Sequence, residues 1–507
     1  MINLFSSPGS RLLAFAILIV ISTTAPAVED SEGLATFVES GMALWQVPGM
    51  AVAVVSSDEV SFQQGFGMTA VDDGTKVDEH TLFAIASTTK AMVVAGILML
   101  VDEGKLSLDD PIVKHIPELH FSDPLLTRQL IVRDLLAHRT GLPSTDFWTF
   151  FQDMPLDEQI RRLESVPAAA PLRTRLIYQN TMFELAGLLI GSLSGMRWDD
   201  FLRERLWLPI GMTATFGALG QIESGLTHVT PYYVLDEQLT LAEWDFPADL
   251  TNAAGSAWSS IYDMGLWAQF LLRDGVTQDG KRLVSEAGFE EMFEPHQLAS
   301  PDDFYPTVEL TQPNWRSYGL AWFQQDFQGR KIDFHTGSLS GLIAIIGLDR
   351  AGDKAVVVLG NRDHAEMRHA VLWEVMDNSA PDERRNWNQE IFDLYQNQAA
   401  DGDGEWAEIK KQRLRKTKPS LPRDDYAGVY ESPMIGEITI APEGRNLILK
   451  FKEIDLPMTH WHLDRFLVEY QPWGLREFVE FRVGPDGTIE ELELFDESFR
   501  PVGDSVP

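Results

Sequence analysis

A serine and a lysine three residues apart stand at the start of an apolar segment, and the pair could form an activated nucleophile. The segment reads FAIASTTKAMVVAGILMLVDEGK, with Ser87 followed by Lys90. Residues i and i+3 share one face of a helix, so the amine would lie within reach of the hydroxyl. A serine attacks only when a neighbour takes its proton, and a lysine kept neutral by burial can do so. A lone SxxK is nevertheless more often a helix N-cap than a catalytic pair.

Two further motifs supply groups that would complete such a site. The segment LIYQNTMFELAG contains Tyr178 and Asn180, a phenol able to relay a proton and an amide able to hold a substrate carbonyl. The segment DFHTGSLSG contains His335, Thr336 and Gly337 on an expected strand, where the glycine would let a substrate backbone approach closely. The three motifs together favour an enzyme over a capped helix.

The elements that position these groups follow from the hydrophobic pattern. Residues 92–101 are apolar all round, which predicts a central buried helix. Segments 50–67 and 318–363 read as β-hairpins, and most of the chain between 87 and 290 is helical in pattern. We therefore expect an α/β (α+β) fold, in which an antiparallel sheet flanked by helices carries an inserted helical subdomain. A cleft would lie where the sheet meets the inserted helices.

The C-terminal quarter of the chain has a different character. Residues 376–420 predict a helical charged linker, in which the run KKQRLRKTKP is interpreted as part of a solvated helix. Residues 421–507 contain short alternating strands separated by turn residues and predict a small all-β domain. The preceding domain would span residues 28–375.

Composition and the N-terminus indicate where the protein works. Residues 1–27 combine a positive charge at Arg11, an apolar run and a terminal APA, the pattern of a secretory signal peptide. The apolar run is too short to span a bilayer, so we expect no stable membrane insertion and a periplasmic or secreted protein. The net charge of −35 argues against nucleic acid as a partner. The 507-residue sequence has no cysteine, which excludes disulfides and a thiol nucleophile.

The ordered set of motifs resembles the class C β-lactamase and penicillin-binding protein superfamily of serine hydrolases. The likeness covers residues 33 to about 375, and the all-β tail is similar to the barrel (lipocalin-like) domains of some D-aminopeptidase-like and esterase-like members. The matching segments, in chain order, are FAIASTTK, EGKLSLDDPIVKHIPEL, VRDLLAHRTGLP, YQN, AAGSAWSSIYDMGLW, YGLAW and HTG.

The resemblance implies a role for each site residue. Ser87 would be the nucleophile, Lys90 its general base or proton partner, and Tyr178 the group that passes the proton to the leaving group and later activates water. Asn180 would orient the substrate. The backbone N–H groups of Ser87 and Ser338 would form the oxyanion hole, and Thr336 and Gly337 would line the substrate site.

His335 stands where β-lactamases carry lysine, and this departure bears on the substrate. Histidine before Thr-Gly is the pattern of D-alanyl-D-alanine carboxypeptidase-like, D-aminopeptidase-like and esterase-like branches. A fixed positive charge is thereby replaced by a group that is neutral over much of the physiological range. We expect a serine hydrolase acting through an acyl-enzyme on a D-amino-acid-containing peptide or an ester.

Two alternatives stay open at this stage: a true β-lactamase, and a non-catalytic cell-wall-binding or regulatory module of the same fold. HExxH is absent and the histidine pairs complete no ligand set, so neither a metal nor another cofactor is implied. His138, in the HRTGLP segment, is interpreted as structural. The C-terminal domain could also build a homo-oligomer interface.

Overall fold

The computed structural model describes residues 31–503 apart from several short internal segments. The residues outside the description are 1–30, 73–74, 151, 153, 236–237, 243–250, 340, 381, 453, 472–473 and 504–507. The signal peptide predicted for residues 1–27 thus lies outside the described residues. Of the helices that are described, none combines the length and hydropathy needed to cross a bilayer.

Helices dominate the middle of the chain and strands its two ends. The α-helices of the described residues are α1 Ser31–Trp45, α2 Thr89–Asp102, α3 Pro124–Gln129, α4 Val132–Leu136, α5 Phe147–Phe150, α6 Leu156–Arg162, α7 Asn180–Ser194, α8 Trp198–Leu202, α9 Leu208–Ile210, α10 Ile261–Leu272, α11 Glu286–Phe293, α12 Val308–Thr311, α13 Met367–Met376 and α14 Trp387–Gln412.

The strands fall into an N-terminal and a C-terminal set. Those up to residue 360 are β1 Gly49–Val55, β2 Val60–Gly67, β3 Leu82–Ala84, β4 Tyr232–Leu235, β5 Gln238–Leu241, β6 Trp258–Ser260, β7 Gln297–Leu298, β8 Arg316–Tyr318, β9 Phe323–Phe327, β10 Arg330–Leu339, β11 Leu342–Asp349 and β12 Lys354–Gly360. Those that follow are β13 Gly428–Ser432, β14 Gly436–Glu443, β15 Asn446–Lys450, β16 Asp455–His462, β17 Arg465–Tyr470, β18 Leu475–Val483, β19 Ile489–Leu494 and β20 Glu497–Pro501.

The main sheet joins strands from the two ends of the first domain. Within the described residues its order is β2-β1-β12-β11-β10-β9-β8-β7, and neighbouring strands are antiparallel. Met50 of β1 pairs with Gly360 of β12, so the long helical region is inserted between sequence-distant strands. Strands β1 and β11 are buried along their whole length because helices cover both faces of the sheet. The predicted fold class is confirmed.

Helix α2 forms the centre of the inserted region, as its apolar sequence predicted. Every residue from Thr89 to Leu100 is buried, and the helix packs against α7, α8 and α11. A Cβ at Gly96 would lie 2.8 Å from Leu202 Cδ2, so a larger residue there would have to displace the side chain of Leu202 in α8. Burial on all sides removes Lys90, at the start of this helix, from water.

The C-terminal strands close into a barrel of eight strands in the described residues, β13 to β20. Pairing of Tyr430 with Pro501 joins the first strand to the last, so the barrel leaves no strand edge exposed for aggregation. Its interior contains a cluster of aromatic rings, with Tyr426, Phe466 and Phe481 in mutual edge contact. The all-β C-terminal domain predicted from the sequence is therefore a closed barrel.

The linker predicted for residues 376–420 is helical over a shorter length than expected. Helix α14 ends at Gln412, so most of the basic run lies beyond the helix instead of forming a solvated helix. Arg413 lies over the Trp461 ring at 4.8 Å from its centroid and donates to the carbonyls of Trp461 and His460, at 2.6 and 2.8 Å. These contacts of Arg413 with the barrel favour an end of the helix at this point over its continuation. They join residues far apart in the chain, so a local sequence pattern cannot reveal them.

The barrel is attached to the helical region by hydrogen bonds to its backbone. Trp148 Nε1 in α5 donates to the carbonyl of Met434 at 2.6 Å, and Arg162 in α6 donates to the carbonyl of Pro433 at 2.9 Å. Met434 and its neighbours also join the hydrophobic core of the helical region. The segment between β13 and β14 is therefore held against the first domain.

Candidate active site

Ser87 occupies a tight turn between strand β3 and helix α2. The turn is a short 3₁₀ segment, Ala86–Thr88, and helix α2 begins at Thr89. Ala86 has a φ of 45°, in the left-handed region that is costly for residues with a Cβ. Ser87 thus lies just before the helix instead of inside its first turn, next to a buried residue in a strained backbone conformation.

Lys90 contacts three acceptors at the bottom of the site. Its Nζ lies 2.9 Å from Ser87 Oγ, 2.7 Å from Asn180 Oδ1 and 2.6 Å from the carbonyl of Ala254. The two oxygens of Asn180 and Ala254 can only accept hydrogen bonds. In the neutral amine, both N–H groups therefore point to these oxygens and the lone pair faces the hydroxyl of Ser87.

Burial favours this neutral form. Lys90 is fully buried, and the loss of water around it lowers its pKa from 10.5 to about 7. The carboxylates of Asp146 and Glu184 act in the opposite direction and keep the pKa from falling further. A lysine with a pKa near neutrality is suited to accept a proton and return it in the same pH range.

Tyr178 lies beside the pair with its hydroxyl unsatisfied. Its ring centroid is 4.9 Å from Lys90 Nζ, and among the described residues its buried hydroxyl has no hydrogen-bond partner of normal geometry. Burial raises the pKa of Tyr178 well above its usual value, and the neighbouring Ser87 hydroxyl partly offsets this effect. The phenol is therefore protonated near neutral pH and has a proton to give.

His335 belongs to the same cluster, but its ring nitrogens are both engaged. Its ring centroid is 6.0 Å from that of Tyr178. Its Nδ1 lies 2.6 Å from the carbonyl of Thr336 and must carry the proton, so Nε2 accepts from the Tyr318 hydroxyl at 3.0 Å. Burial, followed by the charge of Lys90, lowers the pKa of His335 to about 3. This side chain is a neutral, oriented dipole at physiological pH.

Strand β10 runs directly against the nucleophile turn. A Cβ at Gly337 would lie 2.4 Å from the carbonyl oxygen of Ile85 and 3.0 Å from the backbone nitrogen of Ser87, so the position requires glycine. The Thr336 side chain is buried and hydrogen bonds the Tyr305 hydroxyl, whereas the Ser338 side chain is exposed. Of the residues predicted on this strand, Gly337 lies against the nucleophile turn, whereas the side chains of Thr336 and Ser338, which alternate with it, hydrogen bond Tyr305 and Arg368.

A buried arginine, which the sequence analysis missed, anchors this part of β10. Arg368 Nη1 donates to the carbonyl of Gly337 at 2.5 Å and to Ser338 Oγ at 2.8 Å. Glu366 accepts two hydrogen bonds from the same guanidinium, at 3.0 and 2.8 Å, and the guanidinium lowers the pKa of that carboxyl despite its burial. No motif marks Arg368 in the sequence, because the contact depends on how α13 packs on the sheet.

Two buried carboxylic acids near Lys90 were also missed. Glu184 lies one turn after Asn180 on α7, and burial raises its pKa to about 8. Burial likewise raises the pKa of Asp146, and hydrogen bonds from Ser144 and Asn180 partly offset the rise. An ionisable residue within the apolar stretch MFELAGLL was a signal for Glu184, whereas nothing in the sequence pointed to Asp146.

The HRTGLP segment, whose His138 was predicted to be structural, holds the YQN segment in place. The backbone N–H of Gln179 donates to His138 Nδ1 at 3.2 Å, and the Gln179 side-chain amide donates to the carbonyls of Leu142 and Pro143 at 2.7 and 2.6 Å. The His138 ring lies 4.2 Å from the ring of Tyr178, centroid to centroid. Burial keeps the pKa of His138 well below its usual value, so a neutral imidazole supports Tyr178.

Gln179→Ala is expected to lower kcat by about tenfold to a hundredfold, because a small displacement of Tyr178 and Asn180 misaligns the reacting groups. Unpaired buried carbonyls should also lower the free energy of unfolding by about 1–3 kcal/mol. Urea unfolding and kcat per folded molecule measure the two effects. Gln221→Ala, which removes a hydrogen bond to Asp199 instead, is the matched control and should keep kcat. Equal kcat values in both variants would contradict a positioning role for Gln179.

The comparisons with known proteins agree with this geometry. Residues 34–380 match the sequence profile described as Beta-lactamase, and residues 412–503 match a domain of unknown function, DUF3471. The chain therefore belongs to the Beta-lactamase family of serine hydrolases.

Relatives extend over both parts of the chain. The unguisins hydrolase ungD' of Aspergillus campestris is 29% identical over 491 residues, which cover 90% of this chain and 88% of that protein. The octameric penicillin-binding protein homologue from Pyrococcus abyssi has a TM-score of 0.61 at 20% identity, covering 93% of this chain and 99% of that one. The D-amino acid amidase from Ochrobactrum anthropi SV3 has a TM-score of 0.52 at 25% identity, covering 65% and 90%.

Proposed function

We propose that the protein is a secreted serine hydrolase that forms an acyl-enzyme at Ser87 and acts on a D-amino-acid-containing peptide or an ester. The observation that carries the proposal is the geometry around Lys90. A fully buried amine lies 2.9 Å from Ser87 Oγ, while two acceptor-only oxygens take its N–H groups. An amine in this arrangement has one lone pair, and that lone pair faces the nucleophile.

Acylation then proceeds with each proton accounted for. Lys90 takes the proton of Ser87 as Oγ attacks the substrate carbonyl, and the backbone N–H groups of Ser87 and Ser338 stabilise the oxyanion. The tetrahedral intermediate collapses as Tyr178 donates its proton to the leaving group, and the ammonium of Lys90 returns a proton to Tyr178. Asn180 holds the substrate amide or ester beside these groups.

Deacylation reverses the roles with water in place of the leaving group. Tyr178 passes its proton to Lys90 as it takes one from the attacking water, and Lys90 returns a proton to Ser87 Oγ when the acid product leaves. The neutral, fully engaged His335 offers no fixed cation for a β-lactam carboxylate, which favours a peptide or ester over a β-lactam. The names of two relatives, a hydrolase of unguisins and an amidase of D-amino acids, support the same class of substrate.

Intact-protein mass spectrometry tests the proposal. The protein is exposed to a panel of activated esters, D-amino-acid amides and one penicillin, and adducts are followed over time. We expect adducts on Ser87 that form and disappear with the esters or amides. A penicillin adduct that turns over as fast as the esters would make the protein a β-lactamase, and the lack of any adduct would leave a binding module.

Secretion is a separate part of the proposal, and it depends on residues 1–27. Expression of the full chain in a bacterial host should place the protein in the periplasm or the medium with an N-terminus at Val28. Intact mass and N-terminal sequencing of the fractions measure this. A cytoplasmic protein that retains residues 1–27 would contradict it. Association into a homo-oligomer through the barrel stays a prediction, which sedimentation can test.

A further inference from the structure

Two cavities lie side by side between the catalytic groups and the barrel. The first has a volume of about 420 Å³ and is bordered by Tyr178 and Phe323. The second has a volume of about 400 Å³ and is bordered by Phe147 of α5 and by Met434 and Phe495 of the barrel. Three residues, Pro143, Ser144 and Ala169, line both cavities. Together they form one groove, here called the barrel groove, that leads from Tyr178 to the tip of the last barrel hairpin.

The tip of that hairpin has an unusual residue. Strands β19 and β20 are joined by Phe495 and Asp496, and Leu494 pairs with Glu497 across the two-residue turn. Both turn residues have positive φ, 55° and 57°. Such turns favour Asn-Gly, because a bulky side chain at positive φ is strained. The turn places the aromatic ring of Phe495 in the wall of the groove.

The walls of the groove are held at a defined distance. Met434, which borders the second cavity, accepts the hydrogen bond from Trp148 Nε1, and its neighbour Pro433 accepts one from Arg162 Nη1 at 2.9 Å. The barrel side therefore cannot drift away from the helical side without breaking these contacts. The lining is mostly apolar. Its charged members are Arg175 and Asp303, which form an ion pair at 2.7 Å in the first cavity, and Asp496 and Glu497 in the second.

We propose that the barrel groove binds the leaving portion of the substrate and that it selects an apolar leaving portion of two or more residues. The assignment rests on the proposed function, in which Tyr178 protonates the leaving group. A chain that has its departing atom at Tyr178 continues into the cavity bordered by Tyr178, and from there toward Phe495. The carboxylates of Asp496 and Glu497 in the second cavity disfavour a leaving portion that ends in a negative charge.

Phe495→Asn tests the proposal while preserving the turn, because asparagine adopts positive φ readily. Two substrates share one acyl group and differ in the leaving group, which is either small or a long apolar peptide. We expect the variant to acylate about tenfold more slowly with the long leaving group and at the wild-type rate with the small one. Deacylation should be unchanged, because both substrates produce the same acyl-enzyme. The rate constants come from pre-steady-state bursts.

Leu463→Asn is the matched control, since Leu463 is also an apolar residue at positive φ in a barrel turn, with a φ of 49°. It should change neither rate. Three results with Phe495→Asn would overturn the groove assignment: an equal loss of acylation rate with both substrates, no loss with either, or a loss confined to the deacylation rate. Failure of the wild-type protein to acylate with the small leaving group would instead refute the proposed acyl-enzyme function.

Discussion

Alanine at position 87 is expected to abolish covalent labelling and to lower kcat for ester hydrolysis by about 10⁵-fold or more. The replacement removes the hydroxyl that lies 2.9 Å from Lys90 Nζ, which is the group that forms the acyl bond in the proposed mechanism. The half-buried position tolerates a small side chain, so the fold should persist. A fluorophosphonate probe and steady-state ester hydrolysis measure the two losses.

Ser192→Ala provides the control for this substitution. Ser192 lies on α7, the helix that begins with Asn180, but its hydroxyl bonds only the carbonyl of Leu189 within the same helix. The labelling and kcat of the Ser192→Ala variant should match those of the wild-type protein. Labelling that persisted in Ser87→Ala would mean that another residue is the nucleophile, and the assignment of the site would have to be abandoned.

Lys90→Met should slow acylation of Ser87 by about 10³-fold, the usual contribution of a positioned general base. Methionine keeps the linear shape that fills the buried site, so packing of α2 is preserved better than with alanine. Single-turnover acylation with an activated ester measures the effect. Lys114→Met, which removes an exposed lysine paired with Asp110, is the matched control and should acylate normally.

The pH dependence of acylation should identify Lys90 as the base. Only the neutral amine accepts a proton, and burial lowers the pKa of Lys90 to about 7. The acylation rate of the wild-type protein should therefore rise with pH through a midpoint near 7, and this rise should vanish in Lys90→Met. The pKa of His335, about 3, places its titration outside the range. A midpoint that survives in Lys90→Met would assign the titration to another group.

The lowered pKa of Lys90 also makes the free energy of unfolding depend on pH. In the unfolded chain Lys90 keeps its proton up to its ordinary pKa of 10.5, whereas in the folded protein it loses the proton near 7. Between these values the unfolded state binds more protons, so the free energy of unfolding should gain a term that rises with pH. Lys90→Met removes this term. Urea unfolding at pH 7 and pH 9 should therefore show a steeper rise for wild type than for the variant.

Glu184 contributes with the opposite sign in a lower range. Its pKa is raised from 4.5 to about 8, so the folded state binds more protons between these values and stability falls as pH rises through them. Loss of the Lys90 charge raises the pKa of Glu184 further, so in Lys90→Met this fall in stability extends to higher pH and adds to the difference from wild type. A difference between the two proteins that did not change from pH 7 to pH 9 would contradict a depressed lysine pKa.

Local spacing and hydrophobic pattern by themselves determined the centre of the site. Lys90 lies in the first turn of a helix that is apolar all round, so the burial of its amine follows from the sequence. The spacing of three residues keeps Ser87 within its reach, although Ser87 itself lies in the 3₁₀ turn before the helix. The alternating strands of the C-terminal region indicated an all-β domain for the same reason, because a strand repeats every two residues. These features need only the chain on either side of each residue.

Only the tertiary structure decided which distant groups meet there. Asp146 and Glu184 act on Lys90 through space. The direction of each hydrogen bond at His335 depends on Tyr318, and the groove depends on a barrel hairpin that docks by way of Trp148. Such contacts arise from packing between elements that are far apart in the chain. The effect of a charge on another group depends on the distance between them and on their burial. Both quantities are set only when the chain folds, so they cannot be read from the sequence.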